Sequence, residues 1–215
     1  MKTHRTKTIP LRILIAEDHL IARLGVRAII NTQPDMQIIA EAVDGEQAIA
    51  LFRKHRPDVM VLDMRMPVVG GCEAAAAICR EFPSAKIVAL STFSGDQDIR
   101  HALAAGVKAY LTKDALFEEL IEAIRAVHAD REYMNPTVVA RLAEQPPRPN
   151  LSGREMDVLA LIVQGVTNKE IAYTLGLAEY TVKNHVKSIL AKLGVDDRTH
   201  ATTIAIQRGI VHLPQ

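Results

Sequence analysis

Five residues of this 215-residue chain could together perform phosphoryl chemistry: Glu17, Asp18, Asp63, Ser91 and Lys113. Glu17 and Asp18 follow one short apolar run, Asp63 ends another, Ser91 ends a third, and Lys113 follows a fourth. Two carboxylates ~4 Å apart repel by about 4 kcal/mol at an effective dielectric near 20. Three acids in one pocket must therefore take up a proton or hold a cation. A hard, oxygen-seeking divalent ion such as Mg²⁺ resolves the repulsion and also binds a phosphoryl group. A carboxylate nucleophile, a metal site, a hydroxyl and a lysine make up a phosphoryl-acceptor site.

Such a site requires elements that bring distant acids together. The short, branched-residue-rich runs Leu11–Ala16, Ile38–Ala42, Val59–Leu62, Ile87–Leu90 and Val107–Leu111 read as strands. Helical spacing runs through His19–Asn31, Glu46–His55, Gly71–Phe82, Asp96–Ala105 and Ala115–Ala129. Five strands alternating with five helices predict a doubly wound parallel sheet covered on both faces. The carboxyl ends of its strands, near the reversal of strand order, are where ligands bind. Crossover topology should set the first and third strands side by side.

The alternation stops after Ala129. Gln145-Pro-Pro-Arg-Pro149 cannot continue a helix. The reading is a domain over 1–129, whose residues 1–10 form a flexible basic start, then a linker over 130–149 with a helical extension near Pro136–Ala143, then a domain over 150–215. The last part is purely helical. Ser152 and Glu155 have capping-box spacing, as do Thr167 and Glu170, and Gly165, Gly176 and Gly194 punctuate the helices. Three short helices and a tight turn have the form of a helix-turn-helix, with a last helix over about Thr199–Arg208. On the third helix, Val182, Val186, Ile189 and Leu193 form an apolar stripe facing the core, and Tyr180, Asn184, Lys187 and Ala191 a second, polar and basic stripe that would suit a major groove. The second is flanked by Thr181, Lys183 and Ser188.

Bulk numbers exclude little. The chain carries a net charge of +1 and 48% apolar residues, which suits globular cores. From Leu151 onward seven Lys/Arg oppose six Asp/Glu, so duplex binding must rest on local placement. Cys72 and Cys79 are two helix turns apart, about 10 Å, too far for a disulfide and consistent with a reducing cytoplasm. No run reaches membrane-spanning length, and no signal peptide or membrane association is expected.

Two resemblances sharpen these expectations. Ala16-Glu-Asp-His19, Val61-Leu-Asp-Met-Arg-Met-Pro67 with Gly70-Gly71, Leu90-Ser91 and Tyr110-Leu-Thr-Lys-Asp114 resemble the receiver domain of response regulators, a flavodoxin-like fold. The resemblance implies that Asp63 accepts phosphate from a sensor histidine kinase. It also implies Mg²⁺ held by Asp18, Asp63 and the Arg65 backbone carbonyl, with Glu17 acting through water. Lys113 would pair with Asp63, and Ser91 and Tyr110 would form the switch pair. Glu17 replaces a frequent aspartate, Leu20 a frequent proline, and His19 is read as a helix-start residue and not a ligand.

Leu151-Ser-Gly-Arg-Glu155, Gly165-Val-Thr-Asn-Lys-Glu-Ile-Ala172, Thr181-Val-Lys-Asn-His185 and Lys192-Leu-Gly-Val195 with Arg198 are similar to the LuxR-type DNA-binding domain, an all-α module of about four helices. Joined to a receiver, they resemble the NarL/FixJ class of two-component regulators. The resemblance puts Thr181, Lys183, Asn184 and Lys187 at double-stranded DNA and Lys169 near a phosphate. It implies a homodimer at least when phosphorylated, formed through the last helix, and RNA polymerase as a further partner. Ala178 stands where a serine often caps the recognition helix, at a cost of ~1 kcal/mol. The chain reads as a phosphoryl-accepting regulator and not an enzyme. A dehalogenase-like phosphatase wants an aspartate where Arg65 stands, and a nucleotide-binding sheet wants glycines where Glu17-Asp-His-Leu20 stands. A receiver that ignores phosphate and binds DNA constitutively is disfavoured by the intact acidic set.

Overall fold

A computed structural model describes residues 9–92, 95–114, 117–144 and 151–211. The basic stretch 1–8 and residues 145–150, which include the proline-rich end of the expected linker, lie outside them. Contacts divide the chain into two compact units, Met1–Thr92 with Ile99–Val139, and Ala140–Gln215 with Phe93–Asp98.

The sheet unit alternates strands and helices: β1 (Leu11–Ala16), α1 (Leu20–Asn31), β2 (Met36–Ala42), α2 (Gly45–His55), β3 (Val59–Asp63), α3 (Gly71–Glu81), β4 (Ile87–Ser91), α4 (Asp96–Ala104), β5 (Ala109–Thr112) and α5 (Phe117–His128). Strands β3 and β4 are buried at every position, as expected of central strands covered on both faces. The order β2-β1-β3-β4-β5 is parallel throughout and sets β1 beside β3, with Ala16 opposite Leu62. The reversal therefore falls where Glu17, Asp18 and Asp63 leave their strands. Ile13, Ile15, Val61, Val88, Leu111 and Ile124 are among the residues of its core.

A sixth strand corrects the expected count of five. β6 (Tyr133–Met134) continues the sheet, Tyr133 pairing with Ala109 and Met134 with Tyr110. Two residues are too few to show a period of two. α6 (Pro136–Glu144) follows, its start capped by the Asn135 side chain, which accepts from the Val138 amide at 3.0 Å.

The loop from β3 to α3 carries a tight backbone approach. A Cβ on Gly71 would lie 2.1 Å from the carbonyl oxygen of Asp63 and 2.6 Å from Cα of Met64. The Gly71 amide donates to the Met64 carbonyl at 3.1 Å, drawing the helix start beneath the strand end.

The helical unit comprises α7 (Gly153–Val163), α8 (Asn168–Leu175), α9 (Glu179–Leu193) and α10 (Arg198–Gln207). Ser152 and Thr167 each cap a helix and pair with Glu155 and Glu170 in capping boxes. Gly176 and Gly194 close α8 and α9 in the left-handed region, φ 64° at both. Val158, Leu159, Ile162, Ile171, Val182 and Ile189 are prominent in its core, each contributing ~1.5–3 kcal/mol on full burial. α9 begins at Glu179, with Ala178 at its N-cap making no side-chain hydrogen bond.

Gly71→Ala should lower the stability of the sheet unit by about 1–3 kcal/mol, the usual range for overpacking. Calorimetry of wild type and variant checks this; an unchanged melting midpoint would contradict the close approach.

Candidate functional site

The strand ends gather the expected acids. Glu17 and Asp63 are almost wholly buried, at 1% and 2% exposure, and Asp18 is partly exposed. Carboxylate oxygens of Glu17, Asp18 and Asp63 and a ring nitrogen of His19 all lie within 4.8 Å of one another. Lys113 reaches them from the end of β5. Its Nζ donates to Asp63 Oδ2 at 2.9 Å and to Glu17 Oε1 at 2.9 Å, and stands 2.7 Å from Glu17 Oε2. The Arg65 amide donates to Asp63 Oδ1 at 3.1 Å. One ammonium thus serves two buried carboxylates. Burial pushes the Asp63 carboxyl above its ordinary value, against the lowering by Lys113 and the Arg65 amide. Burial works against the charged form of Lys113, but hydrogen bonds to Glu17 and Asp63 raise it above its ordinary value.

Of the remaining receiver residues, Ser91 lies on the same rim and Tyr110 lies deeper, within β5. Ser91 is buried at the end of β4, and its carbonyl accepts from the Lys113 amide at 2.7 Å. Tyr110, on β5 between β4 and β6, has no exposed surface. His19 occupies the N-cap position of α1, and its Nδ1 is 3.0 Å from Asp18 Oδ1. Arg23, passed over in the sequence, supports the loop: its guanidinium donates to the Glu17 carbonyl at 2.6 Å and the Asp18 carbonyl at 3.3 Å. Only its one-turn spacing from His19 hinted at this, because the acceptors are backbone atoms.

In the helical unit the two expected stripes of α9 separate cleanly. Val182, Ile189 and Leu193 are buried and Val186 packs against them, whereas Tyr180, Asn184, Lys187 and Ala191 are exposed. Lys183 and Lys169 are also exposed, and Thr181 is half-buried. Glu179, also passed over, sits in the first turn and bridges Lys183 at 2.9 Å. Its carboxyl is lowered by that lysine's hydrogen bond and charge, and further by the charge of Lys169. Arg198 ties the start of α8 in place, donating to Asn168 Oδ1 at 3.0 Å and to the Val166 carbonyl.

A parallel sheet with this acid–lysine rim and a separate helix-turn-helix define a two-component regulator. Residues 13–125 match the family model of the response regulator receiver domain, and residues 149–205 that of the bacterial regulatory proteins of the luxR family. The transcriptional regulatory protein YxjL of Bacillus subtilis is 38% identical over 213 residues, 94% of this chain and 97% of that one. The transcriptional regulatory protein LiaR of the same organism is 35% identical over 210 residues, 94% of this chain and all of its own. The crystal structure of response regulator ChrA, from a heme-sensing two-component system, is 34% identical with a TM-score of 0.58, covering 94% of this chain and 98% of its own. The chain belongs to the response regulators that join a receiver domain to a LuxR-type DNA-binding domain. Among the described residues, no helix is long and apolar enough to cross a membrane.

Lys113→Met should leave Glu17 and Asp63 buried without their ammonium. Breaking a buried pair costs about 3–5 kcal/mol. Urea unfolding at pH 7 without divalent ions should show a loss in that range; a variant as stable as wild type would mean that Lys113 is not what balances the acids.

Proposed function

We propose that Asp63 accepts a phosphoryl group from a sensor histidine kinase and that this controls binding of the exposed face of α9 to duplex DNA. The observation that carries the first half is the convergence of Asp63 and Glu17 on one ammonium at the strand ends, with an Asp18 carboxylate oxygen within 4.8 Å of theirs. A carboxylate oxygen of Asp63 attacks phosphorus, the bond from phosphorus to the histidine nitrogen breaks, and an acyl phosphate forms. The all-oxygen acid set suits Mg²⁺. One carboxylate oxygen from each of Glu17, Asp18 and Asp63 lies within 4.8 Å of the others, which fits a cation among them. Asp18, Asp63 and the Arg65 carbonyl would hold the ion, with Glu17 acting through water. When bound, Mg²⁺ neutralises charge on the phosphoryl oxygens. Lys113 pairs with a phosphoryl oxygen, Ser91 donates its hydroxyl to another, and Tyr110 repacks its ring in response.

For the second half, Thr181, Lys183, Asn184 and Lys187 face the major groove, with Lys169 at a phosphate. Lysines neutralise phosphates or reach guanine, and asparagine reads adenine edges. The exposed bridge from Lys183 to Glu179 is weak and exchanges readily for a phosphate. The receiver of 1–129 has its sheet extended by β6, which lies in the segment 130–149 that joins it to the DNA-binding module 150–215. The protein works in the cytoplasm as a homodimer when phosphorylated, the last helix supplying the contact, with RNA polymerase as a further partner.

Incubation with acetyl phosphate and Mg²⁺, followed by intact-protein mass spectrometry, tests the first half. One phosphoryl group should appear, fail to form when a chelator is present from the start, and be absent from Asp63→Asn; undiminished labelling of that variant would sink the assignment. For the second half, Lys183→Ala with Lys187→Ala should weaken duplex binding. Its logarithmic salt dependence should flatten by up to about 0.9 per lost phosphate contact. Unchanged affinity and slope would remove both lysines from the interface.

A further inference from the structure

The two capping boxes of the helical unit are chemically alike but structurally different. In the second, Glu170 is exposed, and among the described residues its carboxylate accepts from Thr167 alone, through the amide at 2.8 Å and the hydroxyl at 2.6 Å. Capping a helix therefore needs neither burial nor further partners. In the first, Glu155 is only 4% exposed. Its Oε2 accepts from the Ser152 amide at 2.6 Å, closing the box, and from Lys192 Nζ at 2.6 Å, while Oε1 accepts from the Ser188 hydroxyl at 2.6 Å. Ser188 and Lys192 are one turn apart on α9. A carboxylate that completes a cap on α7 is thus also fastened to two successive turns of the helix carrying the exposed polar stripe.

We infer that Glu155 is a positioning residue for DNA recognition, its buried carboxylate fixing the rotation and axial placement of α9 through Ser188 and Lys192. The inference rests on the reading of α9 as the helix that enters the groove. The apolar stripe sets how deeply α9 packs, but contacts among Val182, Val186, Ile189 and Leu193 are non-directional and tolerate small rotations. Hydrogen bonds are directional and short-ranged. Thr181 lies seven residues before Ser188, almost on the same line along the helix, so the attachment at Ser188 and Lys192 sets the angle at which Thr181 and its neighbour Asn184 are presented. A rotation of about 10–20° is enough to spoil a preorganised contact. Burial works against a charged Glu155, yet hydrogen bonds from Lys192, Ser188 and Ser152 hold its carboxyl down to about 2. The attachment is therefore charged and intact across the physiological range, and is lost only as pH falls from about 4.5 towards 2.

The test uses the full chain and a duplex that the wild-type protein enriches from a randomised pool, with a shuffled duplex of equal composition as reference. Dissociation constants for both are measured for wild type, Glu155→Ala and Lys192→Met. A residue that only stabilised the fold would change the active fraction and shift both constants together, leaving their ratio untouched. The inference predicts that the ratio of shuffled to selected constants falls at least about fivefold in both variants, the smaller end of what one good base contact supplies. Lys192→Met keeps the capping box whole, so it decides the matter if Glu155→Ala does not fold. A wild-type ratio in the folded variants would overturn the inference, whatever their melting temperatures. Failure of the wild-type protein to enrich any sequence would instead remove the DNA-recognition reading, and the inference with it.

Discussion

Two carboxylates buried at adjacent strand ends are the constraint on which the receiver depends. Glu17 and Asp63 have almost no contact with solvent, so their mutual repulsion is weakly screened and must be met inside the protein. Lys113 meets it from a third strand end, bonding both acids at once. That requirement fixes much else. β1 must lie beside β3, β5 must end at the height of both, and Gly71 must let the following helix come up against the Asp63 carbonyl. One ammonium serves the two buried acids, and a third carboxylate, Asp18, stands within 4.8 Å of them, the arrangement on which the proposed Mg²⁺ and phosphoryl chemistry rests.

The helical unit answers a different constraint, the need to hold a polar face at a set angle. Its charge is nearly balanced, so a strong general field is not what brings it to DNA. Placement must do so. Arg198 fastens the start of α8, and Glu155 fastens the later turns of α9, each by charge-assisted bonds across helices. Lys183 is held meanwhile by Glu179, a weak, exposed pair on the same face.

Most of the fold was legible in the sequence because its signals are local. Branched runs marked β1 to β5, capping boxes and glycines marked α7 to α9, and the acids stood at strand ends in the order the crossover rule requires. β6 was missed because two residues carry no period. The positions of Asp63, Ser91 and Lys113 on one rim followed from topology. What the sequence withheld is long-range pairing: the hold of Glu155 on Ser188 and Lys192 spans 33 and 37 residues, and the capping spacing advertised only its local half. The same holds for Arg23 and Arg198, which donate to backbone carbonyls that no residue type announces.

A switch that moved the population from 1:99 to 99:1 would need phosphorylation to favour the binding state by about 5.5 kcal/mol. The central claim is that chemistry at the acidic rim governs DNA binding. Its most direct test is the affinity of the full chain for a selected duplex, measured by fluorescence anisotropy with and without acetyl phosphate in the presence of Mg²⁺. The account predicts tighter binding with the phosphodonor, reversed when the acyl phosphate is allowed to hydrolyse. Equal affinity in the two conditions, with phosphorylation verified by mass, would contradict it.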